Sequence, residues 1–322
     1  MAEFVQTLMT ALAIGSLYAL IALGYTMVYG ILKFINFAHS DIVVLGAWTS
    51  YTLASRILLR LGLDPHNPVT PPPAWIFALI LISTMLFCGL VGFLIERLAY
   101  RPLRRAPRLN VLITAIGVSL FLQNVGQLEL VFGASPQKMP PLLPTWNLVT
   151  WTFVSDGTPT LVSISLVDAI IFCTAGILML ALEYLVFRTR LGMAMRAVSY
   201  NTDTAALMGI SVDRVISFTF VLGSALAAAA GLLYVLKYPG MSQPAHTTWV
   251  LLGLKAFVAA VIGGIGNVRG AVLGGFVIAS VEQFGAFYIS TNYRDVYVFL
   301  LLILILLVRP TGLLGSPVRE KV

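Results

Sequence analysis

Nine apolar stretches separated by short polar connections make up most of this chain, at roughly 7–31, 41–61, 74–96, 110–132, 165–187, 214–236, 249–265, 270–289 and 295–308. A helix needs about 20 mainly apolar residues to cross a hydrocarbon layer of about 30 Å, and most of these stretches supply them. None alternates apolar and polar with period two, which argues against a membrane β-barrel. The stretches 249–265 and 295–308 are short for a full crossing, so each reads either as a span or as a half-helix that re-enters. The pattern predicts an all-α polytopic membrane helix bundle of about eight or nine embedded segments, as one domain over residues 1–322.

Two connections are longer than a bundle requires. The segment 133–164 is rich in proline at first, then alternates from Asn147 to Ser165 around Asp156-Gly157, which predicts a small extracytoplasmic β-hairpin. It serves as a cap or as a docking surface for an external partner. The segment 188–213 contains Asn201, Thr202 and Asp203, any of which suits an N-cap for a short helix through Met208 that Gly209 would end. A faint repeat also appears. Gly15-Ser16, Ala38-His39 and Leu45-Gly46 recur as Gly223-Ser224, Ala245-His246 and Leu252-Gly253, in units that would cross the membrane in opposite directions.

Composition sharpens this picture. Only 10% of residues are charged against 59% hydrophobic, where a soluble domain carries about 25% charged. The net charge of +7 is not a nucleic-acid signature, because the basic residues sit in short loops between apolar runs. With the N-terminus outside, most of them fall on the inner side: Lys33, the cluster Arg97 to Arg108, the cluster Arg188 to Arg214, Arg269, and Arg309, Arg319 and Lys321 of the tail. Arg56, Arg60, Lys138, Lys237, Lys255 and Arg294 stay outside. This bias predicts a cytoplasmic C-terminus. The start, Met1 to Phe4, lacks a basic leader region, so the first run reads as a retained span.

No G-x-x-x-x-G-K-[ST] loop, G-x-S-x-G or H-E-x-x-H occurs, so neither nucleotide binding nor catalysis has a motif to rest on. His39, His66 and His246 are placed near the membrane interfaces and form no metal-ligand spacing. Cys88 and Cys173 read as buried packing residues. Polar residues inside apolar runs are costly and therefore informative: Asn36, His39 and Asp41, then Gln123 and Asn124, then Lys255 and Glu282. Each suits either an interhelical hydrogen bond or contact with a solute. Lys255 and Glu282 fall at similar depths in two helices joined by a Gly-rich turn, which predicts a pair. That pair is either structural or turned to an outer vestibule. Gly266, Gly270 and Gly274 form a small-residue stripe for close helix packing, as do Ala11, Gly15 and Ala19.

The residues Gly15 to Gly24, Ile35 to Asp41, Leu45-Gly46-Ala47, Tyr100 to Arg104, Leu112 to Asn124, Gly253 to Phe257, Gly263 to Gly266 and Arg309 to Gly315 together resemble the LivH family. These are permease subunits of branched-chain amino-acid ABC importers, and the resemblance follows the chain in order. Ser40 stands where the family often has glycine. The resemblance implies a transporter subunit and not an enzyme, set in a bacterial inner membrane and moving branched-chain or related small amino acids. It implies a second, LivM-like permease, two cytoplasmic ATPase subunits that use ATP and Mg, and an extracytoplasmic solute-binding protein, with no cofactor in this chain. It also implies that the 188–213 segment, with Arg196, Asp203, Ala205, Met208 and Gly209, couples to an ATPase. Urea and short-chain amide permeases share most of these motifs. An ion-coupled carrier or a channel is the rival from another class, disfavoured because Glu282 is the one carboxylate placed deep in a span.

Overall fold

The computed structural model describes residues 2–65, 72–104, 106–144, 146–155 and 158–315. Helix α1 (Ala2–Leu32) is apolar on every side, and a helix of that kind belongs in the centre of a bundle. It lies there, with every residue from Ala13 to Val28 buried. Around it pack α2 (His39–Arg60), α8 (Val212–Lys237), α9 (Thr247–Gly263) and α10 (Val268–Tyr288). Helices α3 (Ala74–Ile95), α4 (Arg108–Gly126), α5 (Leu166–Arg188) and α11 (Arg294–Val308) form an outer layer. Their outward faces carry exposed apolar side chains such as Leu86, Phe121, Ile177 and Leu307, as lipid contact requires.

Among the described residues eight helices are long and apolar enough to cross a membrane. The count includes the π-helical and 3-10 turns that carry α3 on to Leu103 and a 3-10 turn that starts the last span at Thr291. Helix α9, with 17 residues, is the shorter ninth and runs alongside α10. The chain is a multi-pass membrane protein.

Small residues bring these helices together. Gly24 of α1 faces Gly223 of α8, Gly46 of α2 lies on the Ala228 backbone, and Gly231 lies on the Val43 carbonyl. Gly270 and Gly274 pack on Gly263 and Ala259 across the α9–α10 pair. Gly266 has a different role from the one expected of it: it lies in the turn between α9 and α10 with φ at +94°, a conformation that only glycine adopts without strain. A side chain at Gly274 would drive into the Ala259 carbonyl and the Gly263 amide, which are backbone and cannot turn aside. Gly274→Leu is expected to lower stability by about 3 kcal/mol, the upper end of overpacking costs. A melting temperature equal to wild type in detergent would contradict this.

Of the repeated motifs, Gly46 and Gly253 both stand at close helix contacts, on the Ala228 backbone and on Ser40. Gly15, however, meets the Phe276 side chain where Gly223 meets Gly24, and His39 lies in the bundle interior where His246 caps α9. The units α1–α2 and α8–α9 run in opposite directions, joined at the Gly24–Gly223 contact.

Three details depart from the sequence reading. Helix α4 ends at Gly126, well before residue 132, because the remaining apolar residues turn back: Phe132 packs on Trp48 with ring centroids 5.7 Å apart. Cys88 is buried, but Cys173 is exposed on the outer face of α5. A second strand pair forms as well, β1 (Gln137–Lys138) with β4 (Gly240–Met241). The expected hairpin is β2 (Asn147–Ser155) antiparallel to β3 (Thr158–Ser165), and its Asp156-Gly157 turn lies outside the described residues. It is held at the start of α1, where the Gln6 side-chain carbonyl accepts from the Ser163 amide at 3.0 Å.

Candidate functional site

The connection from α1 to α2 does not stay at the bundle end. Lys33 takes a positive φ of 57°, the chain reverses, and α2 begins deep inside. His39 Nε2 lies 3.2 Å from the carbonyl of Ile21, and its ring meets Tyr25 edge-on. Ile21 is about 16 Å along α1 from Leu32 at 1.5 Å per residue. His39 is therefore buried in the bundle interior. His246 caps α9 at the other end, while His66 lies outside the described residues.

Several of the expected polar residues gather at this break. Asn36 accepts a hydrogen bond from the Tyr100 hydroxyl at 2.6 Å, tying the returning segment to the end of α3. Asp41 Oδ1 accepts from the Gln123 side-chain amide at 2.9 Å. Asp41 Oδ2 is buried with no partner. Beside it lies a cavity of about 20 Å³ lined by Asp41, Gln123, Phe132 and Pro244 among others, room for about one water. Asn124 does not join them. It is exposed and its side-chain amide donates to the Leu120 carbonyl of its own helix at 2.7 Å. Asp41 and Glu96 are buried carboxylates within spans besides Glu282, where the sequence reading had counted Glu282 alone as deep.

Lys255 and Glu282 do meet, Nζ to Oε1 at 3.0 Å. Two further residues complete the group. Asp295 of α11 takes the same ammonium at 2.6 Å, and the Tyr18 hydroxyl donates to Glu282 Oε2 at 2.8 Å. One cluster thus links α1, α9, α10 and α11. Burial of an unpaired charge at such a place costs about 2.5–3.5 kcal/mol or more, which explains why every member has a partner. Tyr18 offered no sequence signal, being one of 12 tyrosines. Asp295 was visible only as a charge at the mouth of the last run.

At the opposite end the arginines do more than mark sidedness. Glu96, fully buried, accepts from Arg104 and from the Ser217 hydroxyl, and Asp213 takes both Arg101 and Arg104. This network clamps α3 to α8. Nearby, the 188–213 segment forms α6 (Arg190–Tyr200) and α7 (Thr202–Leu207). Asn201 is the N-cap, accepting from the Thr204 amide at 2.9 Å, and Gly209 ends the motif with φ at +82°. Arg196 lies on α6 over the ring of Phe187. Ala205 is turned inward and buried, while the rest of α7, Asp203 and Leu207 included, and Met208 just beyond its end are exposed. No group of three or more His, Cys, Asp or Glu suited to a metal forms among the described residues.

Comparison with known proteins places this arrangement. Residues 7–308 match the family described as the permease component of branched-chain amino acid transport systems. The high-affinity branched-chain amino acid transport system permease protein BraD of Pseudomonas aeruginosa is 43% identical over 99% of this chain and 98% of its own. The corresponding LivH protein of Salmonella typhimurium is 40% identical over the same shares. A probable LivH of Methanocaldococcus jannaschii is 26% identical over 95% of this chain and 90% of its own. No solved structure gives a significant match.

Proposed function

This chain belongs to the permease-component family of branched-chain amino acid transport systems, and on that premise we propose that it carries leucine, isoleucine and valine across a bacterial inner membrane. Members of the family are permease subunits of ATP-binding-cassette transporters, in which ATP is hydrolysed by separate components. The observation that carries the substrate reading is the 43% identity to a branched-chain amino acid permease over nearly the whole of both chains. In this reading the subunit pairs with a LivM-like permease, receives solute from an extracytoplasmic binding protein, and is driven by two cytoplasmic ATPases that use ATP and Mg.

The solute path we propose follows the break between α1 and α2. There Asn36, His39, Asp41 and Gln123 bring polar groups to the bundle interior, and the unpartnered oxygen of Asp41 offers a place for a solute ammonium. The end that holds Lys33, Arg101, Arg104, α7 and Arg269 faces the cytoplasm in this proposal, together with the C-terminus.

The test is uptake by proteoliposomes containing the chain with its partner subunits. ATP-dependent accumulation of leucine and not of urea is expected; urea or amide uptake would move the substrate to the related class, and uptake without ATP would favour a carrier. In the same preparation, cysteines at Asn147 and Thr202 should react with an impermeant thiol reagent from opposite faces. Labelling of both from one face would overturn the orientation.

A further inference from the structure

We propose that a pocket at the hairpin end of the bundle is an entry site for a zwitterionic amino acid, with Arg294 holding the carboxylate and Glu3 the ammonium. The inference rests on the transport reading above and adds a place and a mode of recognition to it. The pocket has a volume of about 500 Å³, within the roughly 300–1,000 Å³ usual for small-molecule sites. It opens between the start of α1, strand β3, the end of α10 and the turn leading into α11.

Its lining is polar in a way the fold does not use. Gln283 and Thr7 are each only 7% exposed, yet neither side chain hydrogen-bonds within the protein among the described residues. Their polar atoms are not sealed off but open onto the pocket, where a ligand or its water can partner them. Arg294 and Glu3 line the same space, and among the described residues neither forms an ion pair. Arg294 Nε is buried without a partner. The contrast with the next residue is direct, because Asp295 is engaged with Lys255.

A guanidinium and a carboxylate that share a pocket without pairing match the two ends of an amino acid. The planar fork of Arg294 suits a carboxylate in particular. Val162, Ala286 and Phe287 supply an apolar wall for an aliphatic side chain. Gln283 and Arg294 adjoin Glu282 and Asp295 in sequence, while Lys255, Glu282 and Asp295 themselves do not line the pocket.

The complete importer in proteoliposomes gives the test, with leucine uptake measured beside equilibrium binding of leucine to the same complex without the binding protein. Two analogues divide the recognition: 4-methyl-2-oxopentanoate lacks the ammonium, and 3-methylbutylamine lacks the carboxylate. Arg294→Gln should weaken leucine about tenfold, as loss of one charge-assisted hydrogen bond does, and raise KM with little change in kcat. It should leave the amine unaffected. Glu3→Gln should weaken leucine and spare the oxo acid, and Arg294→Lys should restore part of the loss. Melting temperatures near wild type would separate these effects from misfolding, and Thr7→Ala supplies a variant without a charge change, expected to weaken leucine only mildly. Wild-type leucine uptake with unaltered KM in both charge variants would overturn the site while leaving the transport reading intact. Variants that bind free leucine normally but fail only with the binding protein would make the pocket a docking surface and overturn the proposal. If the wild type takes up no leucine, the transport reading fails and the site with it.

Discussion

Lys255→Met is expected to cost far more than Glu282→Gln, although the two residues form one pair. Lys255 holds two carboxylates, Glu282 at 3.0 Å and Asp295 at 2.6 Å. Removing the ammonium leaves Glu282 uncompensated in a buried place, at about 3–5 kcal/mol for a broken buried pair. It also takes the partner from Asp295, whose side chain is 46% exposed and keeps water. That is a large share of the 5–15 kcal/mol by which proteins are typically stable. In Glu282→Gln the ammonium keeps Asp295, and the Tyr18 hydroxyl still finds an amide oxygen to donate to, so a loss of about 1–2 kcal/mol is expected. The double change Lys255→Met with Glu282→Gln should regain part of what the lysine change loses. Exchange of the two charges, which restores an isolated pair, is expected to fail here. It sets a carboxylate at position 255 beside Asp295. Melting temperature in detergent, with the yield of monodisperse protein, reads all four. Equal losses in the two single variants would remove Asp295 from the account.

The second large effect belongs to α7. Leu207 and Met208 are 87% and 78% exposed on a helix of only six residues, which has no reason to present apolar side chains to water unless a partner covers them. Leu207→Glu is therefore expected to abolish coupling: ATP-dependent leucine uptake falls by about thirtyfold or more, the equivalent of a 2 kcal/mol interface hot spot. The melting temperature should hold, because the side chain packs against little in the chain itself. Ala205→Arg should behave in the opposite manner. At 4% exposure Ala205 lies under α7, so arginine there would strain the fold and lower stability first. Normal uptake by Leu207→Glu would take α7 out of the coupling role.

The expected positions of α7 and of the hairpin agree with the structure for the same reason. Both rest on local chemistry: an Asn201 cap and a Gly209 stop in one, alternation from Asn147 to Ser165 in the other. Local chemistry also explains what was misplaced. Ala205 and Met208 are three residues apart on a helix too short to reveal which side is covered, and only contact with the rest of the bundle turns Ala205 inward.

The number and approximate ends of the spans were legible because lipid imposes them: a buried backbone must satisfy itself, so length and hydrophobicity alone mark each crossing. The family was legible because its motifs run in order from Gly15 to Gly315. The inside of the bundle was not. In water a helix shows its buried face by where its polar residues fall, but α1 and α3 are apolar all round, so periodicity carries no sign of which side meets protein and which meets lipid. Tertiary contact alone therefore decided that Cys88 is buried and Cys173 exposed, and that Gln123 turns to Asp41 while Asn124 turns outward. It also decided the depth of His39, because hydropathy records how many residues lie between two spans but not whether the connecting chain folds back between them. Asp295 completes the Lys255 cluster for the same reason: its place at the start of α11 was plain in the sequence, and its partner was set by the packing of α11 against α9 and α10.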